Sequence, residues 1–229
     1  MRGRGSSPMG GTVDRSCRRP ELFAGDVTDA ELEEIEAYFL DLGADVNHEL
    51  SPHVDNGLCR RLCDRGYRPV ESANILYQPV DAGRILPHVS NPTIHCRLLG
   101  EGEERLWATI STEGWREFGN MDAMLSEVAA IAGVPQDMHL FVAELQGTPV
   151  AAAAVCVCQN VLNLAGASTI PGARRRGAQQ ALLDARLGFG VKTGCDLVVM
   201  GALPGSESQR NAERQVFRVA YTRTKWQLK

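Results

Sequence analysis

Three apolar, β-favouring runs followed directly by a glycine- and arginine-rich loop and a helix constrain the fold of this chain more than any other feature. The runs span Met138–Leu145, Pro149–Cys158 and Val161–Thr169. Gly147 stands between the first two, where it supplies a tight turn, so they predict a strand hairpin. The third run follows Gln159-Asn160 and predicts a third strand.

The segment after the third strand has the composition of an anion-binding site. A Pro171-Gly172 break leads into the loop Ala173–Gly177, which carries three consecutive arginines. The next residues predict a helix with an apolar face made of Ala178, Ala181, Leu182, Ala185 and Phe189. The first N–H groups of a helix have no partner within it and lie at the positive end of its dipole, so they can donate to a pyrophosphate. Gly177 permits close backbone approach, and the arginines add positive charge.

This succession, TIPGARRRGAQQALL over Thr169–Leu183, resembles the acyl-CoA loop of the GNAT acetyltransferase superfamily. That loop reads Gln/Arg-x-x-Gly-x-Gly/Ala between a strand and a helix, and Arg174-x-x-Gly177-x-Gln179 matches except at its last position. The β-β-β-α-β-α-β order predicted for residues 137–229 is similar to the family order as well. The resemblance implies an α/β (α+β) fold with a mixed, mostly antiparallel sheet flanked by helices.

The resemblance also implies which residues bind acetyl-CoA, the acyl donor. In the family, the pantetheine lies along the splayed fourth strand, the pyrophosphate lies at the loop and helix start, and an Asn of the last helix contacts the cofactor. The cofactor-binding residues implied in this sequence are Ala167, Thr169, Ile170, Arg174, Arg175, Arg176, Gly177, Ala178, Gln179 and Asn211. Gln179 keeps the backbone donor of the usual Gly or Ala but adds a side chain near the phosphates.

The catalytic residues are not identified by the sequence. The Tyr that often protonates the departing thiolate in the family is absent from residues 209–215, and Val216 replaces the usual Gly before the aromatic residue. Glu144 and Glu207 are candidate bases for removing the amine proton. Tyr221 falls in the predicted final strand, where we interpret it as a packing residue.

The implied activity is transfer of an acetyl group from acetyl-CoA to an amine, which we predict belongs to a small molecule rather than to a protein terminus. A non-catalytic acyl-CoA sensor is the alternative, because the loop is intact while the family's Tyr and Gly-Phe elements are missing. Nucleic acid is not a predicted partner, since the net charge is −4 and three adjacent arginines do not make a broad basic face. The sequence leaves a homodimer open.

The composition argues against several other classes of protein. With 44% hydrophobic residues, the 229-residue chain is long enough to bury one large core or two small ones. The seven cysteines and five histidines show no disulfide framework and no metal-ligand spacing, so no metal is predicted. The longest apolar stretch is about half the ~20 residues that a membrane span needs, and the N-terminus lacks an apolar signal core. We therefore expect no membrane association and a cytoplasmic protein.

The N-terminal part predicts a second, smaller α/β unit. Residues 1–20 are rich in Gly, Ser, Pro and Arg and predict disorder. Beyond them, the pattern predicts a helix from the Thr28 N-cap, a strand over 44–50, a helix over 56–65 and a strand over 73–79. Residues 81–135, which include two tryptophans, predict a strand over 94–99, a loop rich in Gly and Glu and a helix over 121–132.

An internal echo links this unit to the C-terminal region. Gly43-Ala44-Asp45 matches Gly194-Cys195-Asp196 at an offset of 151 (196 − 45), and Gly66-Tyr67-Arg68 lies opposite Val216-Phe217-Arg218 at an offset of 150 (217 − 67). We interpret the echo as a shared α-β-α-β unit, with chance agreement as the alternative. The predicted division is disordered residues 1–20, a degenerate GNAT-like half over 21–100, a connecting segment over 101–136 and the acetyl-CoA-binding catalytic domain over 137–229.

Overall fold

One sheet runs through the whole of the computed structural model, which describes residues 27–80, 91–118 and 137–229. Within these ranges the strands are β1 (Asn47–Leu50), β2 (Tyr67–Pro79), β3 (Ile94–Leu98), β4 (Met138–Leu145), β5 (Thr148–Cys158), β6 (Val161–Thr169), β7 (Leu197–Ala202) and β8 (Arg218–Leu228). The helices are α1 (Asp29–Asp41), α2 (Asn56–Asp64), α3 (Glu104–Trp115), α4 (Ala178–Lys192) and α5 (Glu207–Arg214). The strand order is β1-β8-β2-β7-β6-β5-β4-β3.

The sheet is mixed and mostly antiparallel, which confirms the predicted fold class. The pair β6–β7 is parallel, and the other pairs between described strands are antiparallel. The predicted β4–β5 hairpin is present, and its turn residues Gln146 and Gly147 both have positive φ, 52° and 78°. Two successive positive φ values give the turn a twist that matches the twist of the flanking strands. No helix of the described ranges is long and apolar enough to cross a membrane.

Two helices sandwich the β4–β6 part of the sheet, so successive residues of its strands are buried on opposite faces. On one face, Trp107 and Ile110 of α3 pack against Leu140 and Val142 of β4. On the other face, α4 contributes apolar side chains to a larger core that includes Phe141, Ala153, Val155, Leu182 and Leu187. Burial on both faces explains why β4 and β5 read as nearly continuous apolar runs.

Helix α3 corrects the expectation of a loop between residues 100 and 120. Its N-cap residue Glu103 makes no side-chain cap hydrogen bond, and the buried face includes the small residues Ser111 and Gly114 beside Trp107 and Ile110. The usual cap signal and a continuous apolar period are therefore both missing from the sequence. The predicted helix over 121–132 and the predicted disorder over 1–20 lie outside the described residues.

The N-terminal unit has the predicted helix, strand, helix, strand order. Helix α1 begins with a capping box, in which Thr28 and Glu31 satisfy each other's backbone N–H groups. Helix α2 begins after Asp55, whose side chain accepts from the Gly57 N–H. Strand β1 begins at Asn47, later than predicted, and β2 begins at Tyr67, earlier than predicted.

A polar network holds this unit together. The Tyr67 hydroxyl is fully buried; it lies 3.1 Å from Nε2 of His48 and donates to Oε1 of Glu36, also at 3.1 Å. Arg65 donates to both carboxylate oxygens of Glu36, at 2.9 and 2.6 Å. The Arg65 hydrogen bonds hold the pKa of Glu36 below its ordinary value, while burial lowers the pKa of His48. The network joins α1, α2, β1 and β2 around a small core.

Strands β2 and β8 form the centre of a pseudo-two-fold arrangement. Arg68 pairs with Gln227, and Tyr77 pairs with Arg218. The repeat offset of 150 relates Arg68 to Arg218 (68 + 150) and Tyr77 to Gln227 (77 + 150). The offset therefore converts one pair of residues into the other. The neighbours of the two strands correspond as well: β1 lies on the outer side of β8, and β7 lies on the outer side of β2. The register thus follows the echo seen in the sequence.

The irregularities of the central pair follow the same offset. Val70 is left without a partner between Pro69 and Glu71, and Ala220 is left without one between Val219 and Tyr221. The repeat offset therefore also relates the two bulged positions to each other. Strands of segments 21–100 and 137–229 share one sheet, while the origin of the first segment as a degenerate GNAT half stays a prediction.

Candidate functional site

Strands β6 and β7 separate at one end of the sheet. They pair from Val161 with Leu197 to Leu164 with Met200, and the described ladder ends there. From Ala165 onward, β6 has no β7 partner, although it continues to Thr169. In the described part of the chain, backbone groups along this edge other than the Thr169 carbonyl, which accepts from Arg174, are thus available to another extended group. The predicted pantetheine residues Ala167 and Thr169 belong to this stretch, and Ile170 directly follows it.

A β-bulge lies where β6 leaves β7. Gly166 and Ala167 stand opposite the single residue Ala153 of β5, and Gly166 has a φ of 42°. Buried side chains reach the β5 backbone here from both faces. Trp107 Nε1 donates to the Ala153 carbonyl at 2.9 Å, and Arg186 of α4 donates to the Ala154 carbonyl at 3.5 Å. Burial lowers the pKa of Arg186 to about 10, which still leaves the guanidinium charged at neutral pH.

Helix α4 begins beside the end of β6 with an open N-terminus. Its N-cap is Gly177, which has a φ of 95° and no side chain to cap the helix. Within the helix, the Ala181 N–H donates to the Gly177 carbonyl at 3.0 Å. The N–H groups of Ala178, Gln179 and Gln180 precede that bond and have no partner within the helix. They supply donors at the positive end of the helix dipole.

The three arginines before Gly177 have different surroundings. Arg175 and Arg176 are exposed, and Arg175 adopts a φ of 60°. Arg174 is half-buried, and its side chain donates to the carbonyls of Thr169 and Gly114, at 3.3 and 3.2 Å, and to the carboxylate of Glu117. Two cations of the loop therefore face solvent, while the third contacts protein groups.

Gln179 and Asn91 also fasten the loop. Nε2 of Gln179 donates to Oγ1 of Thr169 at 3.0 Å, so this side chain turns back onto β6. Nδ2 of Asn91 donates to the Arg176 carbonyl at 3.2 Å. Sequence reasoning missed Asn91, Gly114 and Glu117, because each lies at least 57 residues from its loop partner and no local pattern marks it.

The remaining candidates are dispersed over the sheet. Asn211 lies half-buried on α5, the helix after β7, and its Oδ1 accepts from Arg214 at 2.6 Å. Glu207 is exposed at the start of the same helix. Glu144 lies on β4, two strands from β6, where it accepts from Arg97 at 2.8 Å. Tyr221 lies on β8 against the His53 ring. Glu207 thus lies on the helix that follows β7 in the chain, whereas Glu144 lies on a strand two places from β6.

No cluster of three or more potential metal ligands among His, Cys, Asp and Glu occurs in residues 27–80, 91–118 and 137–229. The described arrangement combines an uncapped helix start, two exposed arginines and a free strand edge. Together these features can hold an extended ligand with a negatively charged end.

Comparison with solved structures identifies the fold of this chain. No protein-family model matches the chain, and no curated protein is significantly similar to it in sequence. Among solved structures, a GCN5-related N-acetyltransferase from Kribbella flavida is similar at a TM-score of 0.67 and 20% identity, over 86% of this chain and 74% of that one. Another from Sphaerobacter thermophilus has a TM-score of 0.62 and 18% identity, over 86% and 66%.

A third similar structure is described as a tandem GNAT protein from the clavulanic acid biosynthesis pathway. Its TM-score is 0.56 at 12% identity, over 80% of this chain and 62% of that one. The hairpin, the strand-loop-helix succession and the order of elements along residues 137–229 that the sequence predicted are present in the described residues. The chain therefore has the fold of the GCN5-related N-acetyltransferases, as the segment Thr169–Leu183 predicted.

Proposed function

We propose that this protein is an N-acetyltransferase that uses acetyl-CoA as the acyl donor and an amine, first of all that of a small molecule, as the acceptor. One observation carries the proposal: the open N-terminus of α4 adjoins the free edge of β6. Acyl-CoA is an extended molecule with a pyrophosphate, so it needs backbone donors along a strand and an anion site at the end of that strand. The GNAT fold supports this assignment but does not name the acceptor.

The residues present fit acetyl-CoA in charge and in shape. The first-turn N–H groups of α4, with exposed Arg175 and Arg176, would bind the pyrophosphate. The β6 edge at Ala167 and Thr169 would bind the amides of the pantetheine. A Cβ atom added at Gly177 would lie 3.7 Å from Asn91 in a backbone conformation that favours glycine, so a substitution here strains the loop.

The reaction needs the acceptor nitrogen to attack the thioester carbonyl. A C–N bond forms, the C–S bond breaks, the amine loses a proton and the CoA thiolate gains one. Much of the rate in such a reaction comes from holding the two reactants in line. Glu207 is the candidate base whose element adjoins β7, and the proton donor stays unassigned.

A calorimetric titration of the purified chain with acetyl-CoA tests the proposal. The matched variant is Arg176→Ala/Gly177→Asp, which removes a cation and places a carboxylate at the helix start. We expect saturable binding that the variant weakens at least about 100-fold, the combined effect of charge reversal and lost backbone approach. An amine screen with thiol detection then follows.

The outcomes separate the two candidate functions. Thiol release with an amine supports the transferase, whereas tight binding without turnover for any amine class favours the acyl-CoA sensor. Failure of the intact chain to bind acetyl-CoA would overturn both proposals, and the loop would then serve only the packing of β6 against α3 and α4.

A further inference from the structure

The end of β6 is braced by the C-terminal turn of α3, which approaches it unusually closely. A Cβ atom built on Gly114 would lie 2.6 Å from both Cβ and Oγ of Ser168 and 3.1 Å from the backbone nitrogen of Thr169. The Ser168 hydroxyl is buried and donates to the Ser111 carbonyl at 3.4 Å. Only a glycine permits this approach, so residue 114 determines how far the end of β6 stands from α3.

The Arg174 guanidinium joins the same two elements. Its Nε donates to the Thr169 carbonyl, its Nη2 to the Gly114 carbonyl and its Nη1 to the Glu117 carboxylate. One planar cation thus links the last residue of β6, the last turn of α3 and the turn that follows α3. Gln179 holds the same threonine by its hydroxyl. Thr169 is therefore restrained at its carbonyl by Arg174, at its hydroxyl by Gln179 and at its backbone nitrogen by the close approach of Gly114.

We propose, building on the assignment of an acyl-CoA site, that Gly114 and Arg174 are positioning residues that set the free edge of β6 for the pantetheine. Recognition of the phosphate charge falls to Arg175 and Arg176. The division follows from their surroundings, because Arg174 directs its donors at protein groups while the other two are exposed. In the loop motif only Arg174 stands at a specified position, and Arg175 and Arg176 fill the two unspecified ones.

Two acyl donors separate these roles. Acetyl-CoA carries phosphates and acetylpantetheine carries none, so loss of a phosphate contact affects only the first. We expect Arg174→Ala to weaken both donors by a similar factor, about 10-fold or more, because a displaced edge affects every pantetheine ligand. Arg175→Ala/Arg176→Ala should weaken acetyl-CoA by a similar factor and leave acetylpantetheine within about 2-fold. Dissociation constants come from ligand-observed NMR competition.

Loss of acetyl-CoA affinity in Arg174→Ala without any loss for acetylpantetheine would overturn the positioning role and make Arg174 a phosphate ligand. Binding of neither donor by the intact chain would instead refute the proposed function, so the two failures are distinguishable. Thermal unfolding of each variant shows whether a loss of binding comes from loss of the fold.

Exchanging side-chain size between positions 114 and 168 tests the close contact of α3 with β6 without altering charge. Gly114→Ala should weaken both donors about 10-fold, and Ser168→Gly in the same chain should restore most of that loss, because it removes both atoms at 2.6 Å. The control is Gly188→Ala on α4, where an added Cβ meets nothing within 4 Å, and it should change neither donor. Unchanged binding in Gly114→Ala, or a folded double variant that stays weak, would overturn the proposal.

Discussion

The two helices that open the α-β-α-β units begin in opposite ways. At α1, Thr28 accepts from the Glu31 N–H and the Glu31 carboxylate accepts from the Thr28 N–H at 2.8 Å. At α4, Gly177 has no side chain to offer, and three arginines precede it. One helix start is closed by its own acidic residue, and the other is left uncapped. The two units therefore differ in the free N–H donors that a helix start offers to an anion.

The interiors of the two units also differ, because the first contains polar side chains where the second contains apolar ones. Glu36 and Tyr67 in the first unit correspond, at offsets of 151 and 150, to Leu187 and Phe217 in the second. The first pair belongs to the buried polar network, while Leu187 and Phe217 are 4% and 3% exposed and belong to the main apolar core. The first unit thus has hydrogen-bonded polar groups in its interior at positions where the second unit has apolar side chains.

Separating the units should have the largest effect. We expect residues 91–229 expressed alone to show no cooperative unfolding transition, because β7 and β8 then lose β2, their shared neighbour. Circular dichroism during heating measures this, and addition of residues 1–90 should restore the transition. A fragment that folds and binds acetyl-CoA by itself would show that the C-terminal unit is independent, as the predicted division into domains implies.

Glu36→Gln probes the polar network of the first unit. We expect a loss of about 2 kcal/mol in the free energy of unfolding at pH 7, since charged hydrogen bonds to Arg65 and Tyr67 are weakened. Because folding lowers the pKa of Glu36, its contribution is fully present above pH 4.5 and is lost as pH falls through the lower folded pKa. The difference from the native chain in urea unfolding should therefore shrink below pH 4.5.

The control for this variant is Glu33→Gln, since Glu33 lies 3.6 Å from Arg65 but is mostly exposed. It should cost less than about 0.5 kcal/mol at any pH. Equal effects of the two substitutions would mean that the buried network adds nothing beyond a surface ion pair.

The smallest expected effect concerns the turn that precedes each unit's last strand. Gly66 and Val216 occupy equivalent positions with φ of 95° and 62°, a region in which a β-branched residue is strained. Val216 is 64% exposed, so Val216→Gly removes strain with little loss of packing and should stabilise the chain by about 0.5–1 kcal/mol. Gly66→Val should destabilise it by about 1–2 kcal/mol. If urea unfolding showed that both substitutions change the free energy of unfolding in the same direction, the two turns would not be equivalent.

The features that the sequence predicts well are local ones. The hairpin around Gly147, the Thr28 cap and the strand-loop-helix succession at Gly177 each depend on residues a few positions apart. The same locality explains why the resemblance of residues 174–179 to the GNAT loop motif is recognisable although its last position carries Gln179. Here the backbone preferences and the apolar period agree with the final fold.

The features that the sequence does not predict depend on distant partners. Insertion of β2 between β7 and β8 follows from pairing between segments near opposite ends of the chain, which no periodicity encodes. The same holds for Arg174, whose sequence context indicates a phosphate contact while its carboxylate partner Glu117 lies 57 residues earlier. Helix α3 is missed for a different reason, because small residues on its buried face let it approach β6 and erase its apolar period.

The placement of β2 has a consequence for the order of events on the ribosome. β2 ends at Pro79, and its partner β8 begins only at Arg218, so most of the chain is synthesised between the two. At ~5–20 residues per second, roughly 7–28 s pass between the synthesis of the end of β2 and the start of β8. Unpaired strand edges are templates for association with other chains. The nascent protein therefore passes through a stage in which β1 and β2 are already made but their partners in the sheet are not.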